Sequence, residues 1–290
     1  MTRPKLYLAL SPALLIVVVA YVGTLIWTVG LSLTDSRLFP SWRFVGLVQY
    51  ERLFAAERWR ISLTNMALIG VLTIVGSLVI GFLLAVALDR RMRAEGVLRT
   101  LFLYPFAMSF VVTGVAWSWL LNPDLGVQQA VRNLGWTDFR FDWIIHEQTA
   151  VLCIAIAALW QSSGLVMVLM LAGMRGIDAE LWKAARIDNI PVWRFYLHVV
   201  LPMLGPSVAS AVVLLGLNVV KMYDLVVALT DGGPGMSSEV PAKFVMEYLF
   251  NRQNIGFACA GATVLLLIVV LLLGIVRGFS WLMQRRQVRA

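Results

Sequence analysis

The lysine with which P-loop proteins hold the phosphates of a nucleotide has no counterpart in this sequence. A Walker loop ends in Gly-Lys-Ser or Gly-Lys-Thr, because its lysine reaches the β- and γ-phosphates of the nucleotide. The lysines here are Lys5, Lys183, Lys221 and Lys243, and none of them follows a glycine. We therefore expect no nucleotide site of this kind in the chain.

The sequence also lacks the complete motifs of zinc proteases and of serine hydrolases. His146 is followed by glutamate, as in the His-Glu-x-x-His helix of zinc proteases, but Ala150 stands where the second histidine would be. The other histidine, His198, is predicted to lie across a membrane from it, and no Gly-x-Ser-x-Gly elbow occurs. Cys153 and Cys259 fall in apolar segments, where a buried thiol is the expected role. We expect no catalytic residue and no metal site.

The elements that hold these residues are those of a membrane protein. Of the 290 residues, 60% are hydrophobic and 14% charged, and the mean hydropathy is +0.82. Six apolar blocks reach the roughly 20 residues that a helix needs to cross a bilayer. They lie near 8–33, 63–88, 101–121, 149–174, 203–220 and 255–276. We predict an all-α membrane protein with a single domain over 1–290, and a first block retained because no cleavage site follows it.

Basic residues predict the orientation. If the N-terminus is cytoplasmic, the basic clusters within 3–5, 90–99, 175–194 and 277–289 all lie inside, as the positive-inside rule prefers. The loop 34–62 is an exception, with five arginines on the outer side, but the opposite orientation would place the other basic clusters outside. We predict that both termini are cytoplasmic. The net charge of +8 then reflects topology, and we expect no nucleic-acid binding.

A short cytoplasmic segment between the fourth and fifth spans has a pattern of its own. Asp178 is a suitable N-cap and Pro191 ends the pattern, which predicts a helix over 178–188. One face carries Leu181, Ala184, Ala185 and Asp188. Because the two alanine side chains are small, the backbone of another protein could approach that face closely. Trp182 and Ile187 add apolar surface. Either another protein docks there, or the segment is an amphipathic connector resting on the bilayer.

The same residues resemble a known family signature. The run from Glu180 to Asn189, followed by Phe195 and Val199-Val200-Leu201-Pro202, resembles the signature of permease subunits in binding-protein-dependent ABC importers. That signature has Glu-Ala-Ala, a later Gly, and Leu-Pro further on. The matching residues are Ala184, Ala185, Asp188, Leu201 and Pro202. Lys183 stands where the glutamate is usual and Asn189 where the glycine is usual, and asparagine tolerates the left-handed turn that a glycine would make.

A second stretch is similar to the loop before the last span in carbohydrate-type permeases. It comprises 221–224, 230–235, 237–239 and 248–250. The Lys-Ala-Ala-Arg-Ile-Asp variant at 183–188, together with 239–244, looks most similar to glucose/mannose permeases. The resemblance implies the six-span, type I importer architecture and a sugar, such as the monosaccharides glucose or mannose, as substrate.

The resemblance also implies partners. They are a second permease subunit, two cytoplasmic ATPase subunits that bind ATP and Mg²⁺, and an extracytoplasmic sugar-binding protein, all at the inner membrane. The helix 178–188, within a coupling loop of about 175–202, would then be the coupling helix seated in an ATPase cleft. Residues implied in that contact are Glu180, Leu181, Lys183, Ala184, Ala185, Asp188 and Asn189.

Polar and aromatic residues within the spans are candidates for the substrate path, because polar groups in lipid tend to face a cavity. The principal candidates are Trp160, Gln161, Ser162, Ser163 and Asn218, with Asn65, Trp117 and Trp119 beside them. Each could instead have a purely structural role: the polar residues could hydrogen-bond between packed helices, and the tryptophans could lie at the membrane interface.

Two other classes of membrane protein remain as alternatives. An ion-coupled secondary carrier would usually need intramembrane Asp, Glu or His, and the six predicted spans contain none. An assembly subunit that transports nothing would lack a coupling helix.

Overall fold

The computed structural model describes residues 11–12, 15–89 and 94–289, with side chains described as far as residue 278. Within these residues the structure is helical, and β pairing is confined to the isolated bridges Thr34–Phe44 and Arg37–Phe39. In chain order the helices are α1 (Leu15–Ser32), α2 (Val48–Ala55), α3 (Glu57–Asp89), α4 (Glu95–Ala107), α5 (Phe110–Leu120), α6 (Val127–Asn133), α7 (Ala150–Arg175), α8 (Ala179–Ile187), α9 (Val192–Met203), α10 (Gly205–Val220), α11 (Asp224–Leu229), α12 (Pro241–Met246) and α13 (Ile255–Arg289).

Four helices are long and apolar enough to cross a membrane by themselves, namely α1, α3, α7 and the part of α13 up to Gly278. Two further crossings are bent pairs, α4 with α5 at 97° and α9 with α10 at 68°. With each bent pair taken as one span, the six predicted spans are present. The terminal residues 1–10 and 290 and the arginines at 90, 91 and 93, on which the predicted orientation partly rests, lie outside the described residues.

The third and fifth crossings begin earlier than predicted, at Glu95 rather than 101 and at Val192 rather than 203. Their first turns carry charged residues, Glu95 and Arg194, so a search for apolar runs passes over them. Both crossings bend beside prolines. Pro105 precedes the first bend, and Ser109 caps the new helix by accepting a hydrogen bond from the Val112 N–H at 3.2 Å.

The chain folds into two compact units, each built from two stretches of sequence. The first comprises Met1–Arg60 and Pro241–Ile268. In it, the loop after α1 is tied to the start of α13 by the Gly256 N–H, which donates to the Ser36 carbonyl at 2.9 Å. Trp59 is fully buried and packs on Phe244, with ring centroids 5.1 Å apart. Helix α1 exposes apolar side chains along its described length.

The second unit comprises Ile61–Val240 and Val269–Ala290. Its helices approach closely at glycines, as small residues allow in membrane bundles. A Cβ on Gly81 of α3 would lie 2.6 Å from the Val166 Cβ of α7, and one on Gly164 of α7 would collide with the Phe102 carbonyl of α4. This packing brings α3, α4 and α7 together around the base of α8.

Candidate functional site

Helix α8 begins and ends as the sequence predicts. The Asp178 carboxylate accepts a hydrogen bond from the Glu180 N–H at 3.0 Å, which satisfies one of the free N–H groups at the helix start. At the other end Asn189 has φ +51°, in the left-handed region, and the Ile190 N–H returns to the Ala185 carbonyl at 3.0 Å. The prediction that Asn189 adopts the left-handed conformation usual for a glycine in this turn is confirmed.

Lys183 forms an ion pair within α8 rather than with another element of the chain. Its Nζ lies 2.8 Å from the Glu180 Oε1, one helical turn away, and both side chains are exposed. The pair covers part of the outer surface of the helix. The lysine at this position therefore pairs with a glutamate of its own helix, and its charge is opposite to that of the usual glutamate.

The outward face of α8 is turned relative to the predicted one. Ala185 is 8% exposed and packs in the core of its own chain with Phe195 and Tyr196, whereas Ala184, one position earlier, is exposed. Trp182 also turns inward, with its ring centroid 4.5 Å from that of Phe195. The predicted exposure of Ala185 and Trp182 is thus corrected, because these residues share the face that covers the chain's own aromatic side chains.

The residues left on the outer side of α8 form its available surface. Ile187 is 78% exposed, and the other exposed members are Glu180, Leu181, Lys183, Ala184 and Asp188. The aliphatic side chains lie beside charged ones, so the surface can bury apolar area against a partner while meeting polar groups around it. We call these six residues the α8 outer face.

Two polar contacts join the ends of the spans that surround α8. The Tyr196 hydroxyl, on α9, donates to the Asp89 Oδ2 at the end of α3 at 2.9 Å. Arg175, at the end of α7, forms an ion pair with Glu95 at the start of α4. A cavity of about 520 Å³ opens here and is lined in part by Asp89, Trp182, Arg186 and Tyr196. Sequence reasoning did not single out Asp89 or Tyr196, since their separation of 107 positions leaves no local pattern.

The candidate path residues divide into two groups. Gln161 is 3% exposed, and its Nε2 donates to the Met108 carbonyl at 2.8 Å, where the third crossing bends. Ser162 is also buried. By contrast, Ser163 and Trp160 lie on a partly open side of α7, and the Trp160 ring packs edge-on against Trp117 with centroids 5.9 Å apart.

The two candidates at the outer ends of spans lie elsewhere. Asn218 is half-buried on α10. Asn65 is buried, and its Nδ2 donates to the carbonyls of Ser237 and Glu239, each at 2.9 Å. Asn65 therefore holds the loop that follows α11, a role that its sequence position did not indicate.

The loop between α5 and α7 contains the histidine considered above. The His146 Nε2 lies 3.2 Å from the Asp142 Oδ2, and the hydrogen bond between them lowers the pKa of the Asp142 carboxyl. Among the residues that the structure describes, no three His, Cys, Asp or Glu side chains are grouped so that they could hold a metal ion.

Comparisons with known proteins agree with one another. Residues 77–281 match the family described as binding-protein-dependent transport system inner membrane component. A probable ABC transporter permease protein of Pyrococcus horikoshii is 38% identical over 92% of each chain. A xylose/arabinose import permease protein of Haloferax volcanii is 29% identical over 91% of this chain and 83% of its own.

A solved structure shares the fold. One chain in the crystal structure of a bacterial alginate ABC transporter, in complex with an alginate pentasaccharide-bound periplasmic protein, superposes with a TM-score of 0.82. The match covers 95% of this chain and 93% of that chain, at 16% identity.

Proposed function

This chain belongs to the family of binding-protein-dependent transport system inner membrane components, and we propose that it is the permease subunit of an ATP-driven sugar importer. Membership makes it a multi-pass inner-membrane protein and the non-catalytic component of an ABC transporter. The ion-coupled carrier considered from the sequence is thereby set aside as the transporter class.

The observation that carries the proposal is the arrangement of α8. The helix is capped at both ends, is backed by Phe195 and Tyr196, and presents the α8 outer face away from the chain's own core. On the proposed function, this face seats in a cleft of an ATPase subunit. ATP and Mg²⁺ bind to the ATPases, and closure of the ATPases displaces α8. Such a mechanism requires that ATP favour one state of the complex over the other.

The proposed substrate is a sugar. Relatives include a xylose/arabinose import permease, and the alginate transporter has a similarly folded chain. A path beside Trp160, Trp117 and Ser163 suits a sugar, because tryptophan rings stack on the apolar faces of pyranoses while a hydroxyl can hydrogen-bond. Within this class we propose glucose or mannose first, on the sequence similarity at 183–188 and 239–244.

The proposed assembly has a second, similar permease subunit, two ATPase subunits and an extracytoplasmic sugar-binding protein. The chain itself would hydrolyse no ATP. Its contribution is the membrane path and the docking helix, while the binding protein delivers the substrate and thereby limits which sugars reach the path.

Reconstitution tests this function. The full complex in proteoliposomes, with ATP on the ATPase side and the binding protein on the other, should accumulate labelled sugar. The panel should contain glucose, mannose, xylose, arabinose and maltose. Uptake should require ATP and persist when an ionophore collapses ion gradients. Uptake that needs no ATP, or that collapses with the ion gradient, would contradict the proposed function, whereas uptake of a pentose only would correct the monosaccharide.

The proposed path is tested in the same system. Trp160→Ala should raise the sugar concentration needed for half-maximal uptake, while Trp136→Ala, on the loop between α5 and α7, serves as the matched tryptophan control. A Trp160→Ala complex with wild-type uptake at every sugar concentration would remove Trp160 from the path.

A further inference from the structure

Helix α8 is fastened to α9 by aromatic packing. The Trp182 ring lies with its centroid 4.5 Å from Phe195 and 5.4 Å from Tyr196, and the Ala185 methyl is buried in the same cluster. Aromatic rings in this arrangement hold a defined relative orientation, because edge and face carry opposite partial charge. A displacement of α8 therefore carries Phe195 and Tyr196 with it.

Tyr196 continues this connection to a different span. Its side chain is 7% exposed, and its hydroxyl donates to the Asp89 Oδ2 at 2.9 Å. Asp89 is the last residue of α3, whose Ala85 and Leu88 belong to the same buried cluster. A continuous series of contacts thus runs from α8 through Trp182 and Tyr196 to the inner end of α3.

The hydrogen bond is the directional step in that series. Apolar contacts between Tyr196 and α3 resist separation, but they permit sliding because burial has no preferred direction. The cavity of about 520 Å³ at this place means that packing between α8 and the end of α3 is incomplete. A hydrogen bond to a carboxylate has both a preferred geometry and greater strength than one between neutral groups.

We propose that the Tyr196–Asp89 hydrogen bond transmits the movement of α8 to α3, and that these two are positioning residues for coupling ATP hydrolysis to transport. The inference rests on the proposed function, in which α8 docks on an ATPase. Neither residue touches the sugar or the nucleotide in this account. Loss of the bond should leave the complex assembled and hydrolysing ATP, with fewer sugar molecules moved for each ATP consumed.

The test measures ATP hydrolysed per sugar imported by the complete complex in proteoliposomes. Tyr196→Phe removes only the hydroxyl and keeps the ring packed on Trp182, while Asp89→Leu removes the acceptor. Each should raise the ratio on the order of tenfold, as expected for the loss of one hydrogen bond to a charged group. Asp89→Asn keeps an acceptor oxygen but loses the charge, so its ratio should lie between those of the wild type and Asp89→Leu.

A matched control separates transmission from the general loss of a tyrosine hydroxyl. Tyr50→Phe deletes a hydroxyl that lies 2.7 Å from the Ser32 Oγ, in the unit that contains neither α8 nor Tyr196. Its ratio should equal that of the wild type. Recovery of the ATPase with the permease should also be the same for Tyr196→Phe, Tyr50→Phe and the wild type.

Three results would overturn this inference while leaving the proposed function intact. A wild-type ratio in Tyr196→Phe would show that the bond transmits nothing. An equal fall in assembly, hydrolysis and uptake in Tyr196→Phe would show that the residue has a structural role only. The same conclusion would follow if the ATP-to-sugar ratio of Asp89→Asn were as high as that of Asp89→Leu. Failure of the wild-type complex to import any sugar would instead overturn the proposed function, and this inference with it.

Discussion

At the scale of single residues, the two adjacent alanines of α8 have opposite surroundings. Ala184 lies on the α8 outer face, whereas Ala185 is buried against the chain's own aromatic residues. Only the first can report on docking without disturbing the permease itself. A bulky side chain at the two positions should therefore have different consequences.

We predict that Ala184→Trp inserts normally but assembles poorly with the ATPase. Overpacking a close interface costs about 1–3 kcal/mol, which corresponds to one to two orders of magnitude in affinity. Affinity pull-down of the ATPase and sugar uptake are the measurements. On a helix that merely rests on the bilayer the tryptophan should be harmless, so wild-type recovery and uptake would withdraw α8 as the docking element.

Ala185→Trp is the companion variant. Because its ring would have to enter the cluster around Phe195 and Tyr196, we predict a lower thermal unfolding temperature of the isolated permease in detergent. Ala184→Trp should unfold at the wild-type temperature. The reverse order would mean that the two alanines have exchanged roles.

At the scale of elements, the bend in the third crossing depends on a side chain from another helix. The Met108 carbonyl lies at the bend and accepts a hydrogen bond from the Gln161 Nε2 of α7. An unpaired carbonyl in a membrane interior is unfavourable, since no water replaces the lost donor. The Gln161 Nε2 thus supports this bend, while the buried Gln161 Oε1 has no hydrogen-bond partner within the described residues.

Gln161→Leu should therefore destabilise the permease by about 1–3 kcal/mol. Thermal unfolding in detergent measures the change. Ser163→Ala is the matched control, because the Ser163 hydroxyl donates a hydrogen bond to a carbonyl of its own helix, that of Trp160, at 3.2 Å. Equal stability of Gln161→Leu and the wild type would remove Gln161 as the support of the bend.

The loop after α11 depends on a side chain of α3. Asn65→Leu removes the donor to the Ser237 and Glu239 carbonyls and should accelerate amide hydrogen exchange across 230–240. Asn218→Leu removes an amide from α10 and should leave that exchange unchanged. If the loop exchanges at the wild-type rate in Asn65→Leu, its other contacts are enough to hold it. One of these is the 2.8 Å contact between the Thr230 and Ser238 hydroxyls.

At the scale of the whole molecule, orientation in the membrane decides which end of each contact network would meet the proposed ATPase subunits. The basic clusters place α8 and the Asp89–Tyr196 pair at the cytoplasmic end and the loop between α5 and α7 outside. We predict that reporter fusions at Ala290 and within 122–148 report opposite sides of the membrane. Reporters on the same side would refute the six-span topology.

The sequence by itself determined the features that depend on local composition and spacing. Apolar runs predicted the six crossings, and Asp178 and Pro191 predicted both ends of α8, because a cap or a helix-ending proline acts on residues only a few positions away. The family signature in the same segment was also local, and the family match confirmed it.

The tertiary structure alone decided which residues meet across helices. It turned Ala185 and Trp182 inward, assigned Gln161 and Asn65 to distant carbonyls, and joined Tyr196 to Asp89. A polar residue in a span is stabilised by a partner, so the sequence predicts a contact but not whether it is with sugar or with backbone. That choice depends on how bent and closely packed helices bring residues far apart in the chain into contact.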